Sequence, residues 1–135
     1  MPIEHKIRED LRLIISIHSG SIPDQVFLES YQELLFKEEI YLTYNHLLDL
    51  RNTDSSIRST NALKIVVEKA QEMSKGKTYL KNKFAIVAKT DLSFGLSRMF
   101  QGLSSPFPKE VLVFRDIKKA LAWLELPENV LDDLF

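Results

Sequence analysis

Lys83-Phe84-Ala85-Ile86-Val87-Ala88-Lys89-Thr90-Asp91-Leu92-Ser93-Phe94-Gly95-Leu96 opens the stretch that decides the fold, and Val111-Leu112-Val113-Phe114-Arg115-Asp116 with Ala120-Leu121-Ala122-Trp123-Leu124 completes it. Phe84 to Ala88 is a continuous apolar run rather than an alternating one, as expected of a strand covered on both faces in a sheet flanked by helices. Thr90 or Asp91 caps the helix that follows, for which the spacing puts Leu92, Leu96, Met99, Phe100 and Leu103 inward. Pro106 and Pro108 close that helix off. Val111 to Phe114 is a last strand, and Asp116 caps a short amphipathic helix through Trp123 and Leu124. The stretch therefore reads strand, helix, strand, helix.

Upstream, Ile3 to Ile7 and Leu11 to Ile17 flank Glu9-Asp10 as a hairpin, the second arm alternating like a half-buried strand. Ser21, Pro23 and Asp24 suit a helix start, and the helix runs to about Lys37 with Phe27, Leu28, Tyr31, Leu34 and Leu35 inward. His46 to Leu50 is a short strand stopped by the polar loop Arg51 to Ser56. Ser59, Thr60 or Asn61 caps a helix striped with Ala62, Ile65, Val66, Ala70 and Met73, ending near Gly76. The order β-β-α-β-α-β-α-β-α implies an α/β domain with a mixed, mostly parallel sheet of about five strands. Residues 1–135 form one such domain, with no internal repeat or linker. Past Pro127, the acidic tail with Val130, Leu131, Leu134 and Phe135 is a candidate docking segment, for the core or for a partner.

A hydrophobic content of 44%, a charged content of 27% and a net charge of -1 are those of an ordinary globular protein, with no field to attract nucleic acid. The lysines from Lys75 to Lys89 have only Tyr79 and Phe84 interleaved, and read as solvated rather than nucleic-acid binding. With no Cys, thiolate catalysis, disulfides and Cys-held metals are excluded, which fits a reducing cytoplasm. The N-terminus does not read as a signal peptide, and no apolar run approaches the roughly 20 residues of a membrane span.

The residues from Phe84 to Leu124, with Leu47-Leu48-Asp49-Leu50-Arg51 as a central strand and its exit, resemble SpoIIAA-like proteins, small bacterial domains related in fold to STAS domains. The resemblance runs from about Ile3 to Leu126 and implies a SpoIIAA-like, STAS-like α/β fold. In the STAS relatives that act as anti-sigma factor antagonists, a Ser at a loop-to-helix junction is phosphorylated by a partner kinase. Here Asp54-Ser55-Ser56 lies in the corresponding region, with Ile57 in place of the usual Gly and a short spacing from Asp49. The resemblance makes Ser55, Ser56 and Ser59 candidates for that role, since phosphate at a helix N-terminus meets free N–H groups. Plain loop and capping roles suit the same serines.

Candidate chemistry elsewhere is sparse. His5 and His18 are expected as exposed cross-strand neighbours on the hairpin, without a third metal ligand, and His46 as an edge or packing residue. Gly20, Gly76, Gly95 and Gly102 are isolated and form no phosphate loop. Asp49, Arg51, Thr90, Asp91, Ser93 and Arg98 are the candidates for holding a small anionic ligand at strand C-terminal ends. Phe94, Met99, Phe100, Phe107 and Trp123 either line an apolar lipid pocket or form core. No catalytic constellation, metal set or cofactor motif emerges. The expected function is a non-enzymatic regulatory or protein-interaction domain, anti-sigma-antagonist-like by resemblance. The alternative is a binder of a lipid or an anionic metabolite. A protein partner and a homodimer formed through the hairpin or the acidic tail are the expected assemblies.

Overall fold

The computed structural model describes residues 2–35, 43–54, 58–74, 82–103 and 110–134. Its elements are β1 (Ile3–Arg8), β2 (Leu13–Ser21), α1 (Asp24–Leu35), β3 (Asn45–Asp54), α2 (Thr60–Ser74), β4 (Lys83–Val87), α3 (Asp91–Leu103), β5 (Glu110–Phe114) and α4 (Ile117–Trp123). A 3-10 turn at Glu128–Val130 and the short α5 (Leu131–Leu134) follow. The strands form one five-stranded sheet in the order β1-β2-β3-β4-β5. β1 runs antiparallel to β2, and every later pair is parallel.

Parallel neighbours taken in chain order need one crossover helix each, and crossovers of one hand place those helices on one face. Side-chain alternation along the strands sorts the core accordingly. Ile14 packs with Phe27, Tyr31 and Leu34 of α1 and Ala62, Leu63 and Val66 of α2, while Leu48, Phe84, Ile86 and Val111 meet Phe100 of α3. On the opposite face Leu13, Ile15, Leu47, Ala85 and Val87 are closed over by Ala120, Leu121 and Leu124 of α4 and its exit, with Trp123 packed at the edge. The chain is thus a three-layer sandwich, and this explains why β4 reads as an unbroken apolar run.

Several boundaries differ from the sequence expectation. β2 is buried on both faces over Leu13 to Ser16, not half-buried, because α1 and α2 cover one face and α4 the other. Ser21 does not cap α1 but ends β2 opposite Asp54, and Asp24 occupies the first turn of the helix. Arg51 to Asp54 is strand, not loop: past a register shift, Asn52, Thr53 and Asp54 pair with Ser19, Gly20 and Ser21, and the Thr53 hydroxyl donates to the Gly20 carbonyl at 2.7 Å. A polar composition hid this strand, whose Asn52 and Asp54 are exposed. The expected ends of α1 near Lys37 and of α2 near Gly76, and Pro106, Phe107 and Pro108, lie outside the described residues.

The largest departure is α3. Leu92 and Met99 point to solvent, 51% and 42% exposed, while Ser93 and Ser97 are buried against the core. Leu96, Phe100 and Leu103 are partly covered. The amphipathic pattern of this helix is rotated from the inward face assigned by apolar spacing alone.

Candidate functional site

Among the described residues, chemistry-bearing side chains gather in two places: at the C-terminal ends of the parallel strands and within the layer between α1 and the sheet. The first holds most of the residues singled out from sequence. Between Ile17 and Ser19 of β2 the partner strand β3 advances from Asp49 to Asn52, so β3 carries one extra residue. Asp49, 2% exposed, folds its carboxylate over this bulge. It accepts the Arg51 backbone N–H at 3.0 Å and the guanidinium at 2.9 Å (Nε) and 3.1 Å (Nη2). The pair therefore closes the bulge and stabilises the charged form of Arg51.

Each helix start at this end is engaged by the chain itself. Thr90 Oγ1 accepts from the Ser93 N–H at 3.1 Å, Asp116 accepts from the Lys118 N–H at 2.9 Å, and Ser59 Oγ accepts from the Ala62 N–H at 3.1 Å. Asp91 pairs with Arg115 at 2.8 Å, and that guanidinium stacks 4.3 Å from the Phe94 ring centroid. Asp24 joins two helix starts: it accepts from Arg58 Nη1 at 2.7 Å and from the Ser59 N–H at 3.2 Å. Arg58 also donates to the Ile22 carbonyl at 3.0 Å and lies over Phe27.

Of the residues nominated for phosphorylation, Ser59 is the N-cap of α2, and Ser55 and Ser56 lie outside the described residues. Of the nominated anion ligands, Asp49 and Arg51 hold each other, Thr90 caps, and Ser93 is buried within α3. Arg98 is exposed on α3. The proposed aromatic lining does not assemble: Phe94 is covered by Arg115, Met99 faces solvent, and Trp123 sits on the other side of the sheet with Phe114.

The second gathering was not expected. His18 is buried and His5 half-buried, and they do not face each other across the hairpin, since His5 is registered with Ser16 and His18 with Ile3. Of the two roles expected for His46, edge or packing, it takes the second: it lies on the middle strand, fully enclosed. All three histidines of the chain project from adjacent strands toward α1, where the Tyr31 ring centroid lies 5.9, 6.1 and 6.2 Å from those of His5, His18 and His46.

A chain of hydrogen bonds runs through them. Ser30 Oγ meets His5 Nε2 at 2.7 Å, His5 Nδ1 meets Ser16 Oγ at 2.7 Å, and Ser16 Oγ meets His46 Nε2 at 2.7 Å. A neutral imidazole has one donor and one acceptor nitrogen, and each hydroxyl carries one hydrogen. The four groups therefore share one sense of donation, either from Ser30 toward His46 or from His46 toward Ser30.

Burial disfavours the charged forms of His5, His18 and Tyr31. His18 is pushed down to about 3, chiefly by desolvation, with Arg58 and His5 adding to the effect and Asp49 opposing it. Desolvation also lowers His5, against Ser30 and Glu33, which favour its protonated form. Burial likewise raises the Tyr31 phenol above its ordinary value. The cue available in the sequence was parity: His5, Ser16 and His18 fall on the same side of their strands as Ile3 and Ile14, and that side is the α1 face.

Among the described residues no group of three or more His, Asp or Glu side chains could hold a metal ion, and no helix is long and apolar enough to cross a membrane.

No family model matches the chain, and no curated protein matches it. A solved structure does: an uncharacterised protein from the DUF3478 family with a SpoIIAA-like fold, from Shewanella loihica PV-4. It is 20% identical, superimposes with a TM-score of 0.56, and the match covers 90% of this chain and 91% of that one. At that identity the likeness carries the fold and leaves the chemistry to the residues themselves. With its sequentially ordered mixed sheet and matching span, the chain has the SpoIIAA-like α/β fold expected from its strand and helix pattern.

Proposed function

We propose that the chain is a non-enzymatic protein-interaction or regulatory domain that binds a protein partner through the outward face of α3. The observation that carries this reading is the orientation of that helix. Leu92 and Met99, seven residues apart and so on one side of the helix, face solvent while Ser93 and Ser97 are enclosed. Gly95 lies between them, and a Cβ there would meet nothing within 4 Å, so internal packing does not call for glycine. A helical glycine costs about 1 kcal/mol relative to alanine, a cost that has a use where a partner backbone approaches closely.

Arg98 lies exposed beside this stripe. Leu, Met and Arg around a flat small residue have the composition of an interface centre, and the charge selects a partner whose apolar segment carries a carboxylate. The lipid or anionic-metabolite alternative has less support, because Asp24, Asp91 and Asp116 already place carboxylates at helix starts that would receive an anion. The His5–Ser16–His46 arrangement offers a bound substrate no access to Ser16 or His46, which are fully enclosed. A bacterial cytoplasmic setting goes with the absence of Cys and with the family resemblance.

The test compares wild type with a Leu92→Glu/Met99→Glu variant in quantitative affinity capture from the source organism, with light scattering on each purified protein. A partner held by wild type, lost by the folded variant and weakened by Arg98→Glu supports the reading. Identical capture profiles overturn it. A wild-type mass of two chains that falls to one in the variant would make the occupant a second copy, and a copurifying small molecule in native mass spectrometry would favour the ligand alternative.

A further inference from the structure

We propose that the interface between α1 and the sheet is an acid-sensitive latch, held shut while His5 and His18 are neutral and opened when they take up protons. With the start of α2 alongside, the histidines lie beneath α1. Phe27, Tyr31 and Leu34 of this helix are buried against the sheet, and the three histidines lie beneath them on β1, β2 and β3. Histidine is the side chain whose ordinary titration falls between pH 5 and 8, so three of them under one helix concentrate proton sensitivity at one place.

Burial disfavours protons on His18 and His5 in the closed state, and each ring of the cluster faces a defined set of groups. His18 meets the Phe27 and Tyr31 rings of α1, feels the Arg58 cation at the start of α2 and His5 on β1, and is opposed only by Asp49 on β3, itself held by Arg51. Nε2 of His18 is enclosed without a hydrogen-bond partner among the described residues, so an added proton there would have no acceptor. His46 meets Ser16 from β2, Tyr31 from α1 and Phe84 from β4. His5 meets Ser16 from β2 and Ser30 and Tyr31 from α1, with Glu33 of α1 the nearest anion.

His5 is the partly exposed member, and the hydrogen-bonded chain connects it through Ser16 to the enclosed His46. A second proton on His5, both of whose nitrogens lie in that chain, turns its acceptor nitrogen into a donor, so that the ring donates to both Ser16 and Ser30 and the single sense of donation is broken. Opening returns each ring to water, where it titrates near 6.5. Below that pH the open form binds more protons at His5 and His18, which burial keeps less protonated in the closed state, so acid drives opening.

Hydrogen exchange on the full chain between pH 7.5 and 4.5, corrected for the intrinsic pH dependence of exchange, tests this. The expected result is a rise of about tenfold per pH unit, per proton taken up, in the opening constant of α1 amides, while β4 amides keep their protection. His18→Phe, which keeps an aromatic ring among Phe27 and Tyr31, should flatten that slope, and His5→Gln should reduce it. Parallel loss of protection in α1 and β4, or an unchanged slope in a folded His18→Phe, overturns the latch. Should the variants not fold, NMR titration of the wild-type histidines decides: signals that titrate near 6.5 while α1 amides stay protected overturn it, and histidine titration that coincides with loss of α1 protection supports it.

Discussion

The hydroxyl of Ser16 on β2 lies 2.7 Å from Nε2 of His46 on β3, and both side chains are fully enclosed beneath α1. One serine thereby joins two histidines in the apolar layer, since the same oxygen also meets His5. Removing it leaves buried ring nitrogens without a partner, which costs more than a surface hydrogen bond. Ser16→Ala is expected to lower stability by about 2–3 kcal/mol in urea denaturation at pH 7. A loss below about 0.5 kcal/mol would mean that the two rings find other partners.

Acid should weaken the fold through His18. Its folded value is about 3, against about 6.5 when unfolded. Above 6.5 neither state is protonated and its contribution is complete. As pH falls below 6.5 the unfolded chain takes up a proton that the folded chain refuses, so stability declines by up to about 1.4 kcal/mol per pH unit and levels off below about 3. Between pH 7.5 and pH 5 this residue alone accounts for about 2 kcal/mol, and His18→Phe should remove that part of the slope in denaturation curves taken at the two values.

The turn after α4 contains a correctable strain. Glu125 adopts φ 62, with its N–H bonded to the Ala122 carbonyl at 3.0 Å and the Leu126 N–H to the Leu121 carbonyl at 2.9 Å. This is the Schellman ending, whose left-handed position favours glycine. Glu125→Gly should raise the melting temperature, by about 0.5–1 kcal/mol of stability, because the carboxylate it removes is exposed and only 4.0 Å from Lys83. Lys83 keeps its stronger tie, a 2.8 Å bond to the Trp123 carbonyl.

At the bulge in β3, Asp49→Asn removes the charge that holds Arg51 at two nitrogens and weakens the cap on the Arg51 N–H. A loss of about 1–3 kcal/mol is expected. Exchange of the β3 amides beyond the bulge should rise further than that of the amides before it, and uniform exchange would place the effect elsewhere.

On α3 the ordinary rule is reversed. Leu92→Glu should change stability by no more than about 0.5 kcal/mol, being exposed, whereas Ser93→Leu should cost about 1–3 kcal/mol by forcing volume into a filled site. Circular dichroism melts of the two variants check the orientation of the helix directly, and the opposite ranking would show it rotated.

Local signals were sufficient for the elements and their order. The unbroken run at Phe84 to Val87 marked an interior strand, Thr90 and Asp116 carried cap chemistry in their own side chains, and the alternation of strand and helix implied parallel pairing. Those features depend on neighbours a few residues apart, which a sequence displays. What lay beyond it were relationships set by the third dimension. The polar run Arg51 to Asp54 became strand because Ser19 to Ser21 stood beside it, and α3 turned its leucine and methionine outward because the sheet and α2 covered its other side. His5, Ser16, Ser30 and His46 are up to 41 positions apart, from 5 to 46, and no periodicity links them. Only the stacking of three strands under one helix brings them within hydrogen-bond reach, and only the exclusion of water by that helix makes their protons matter.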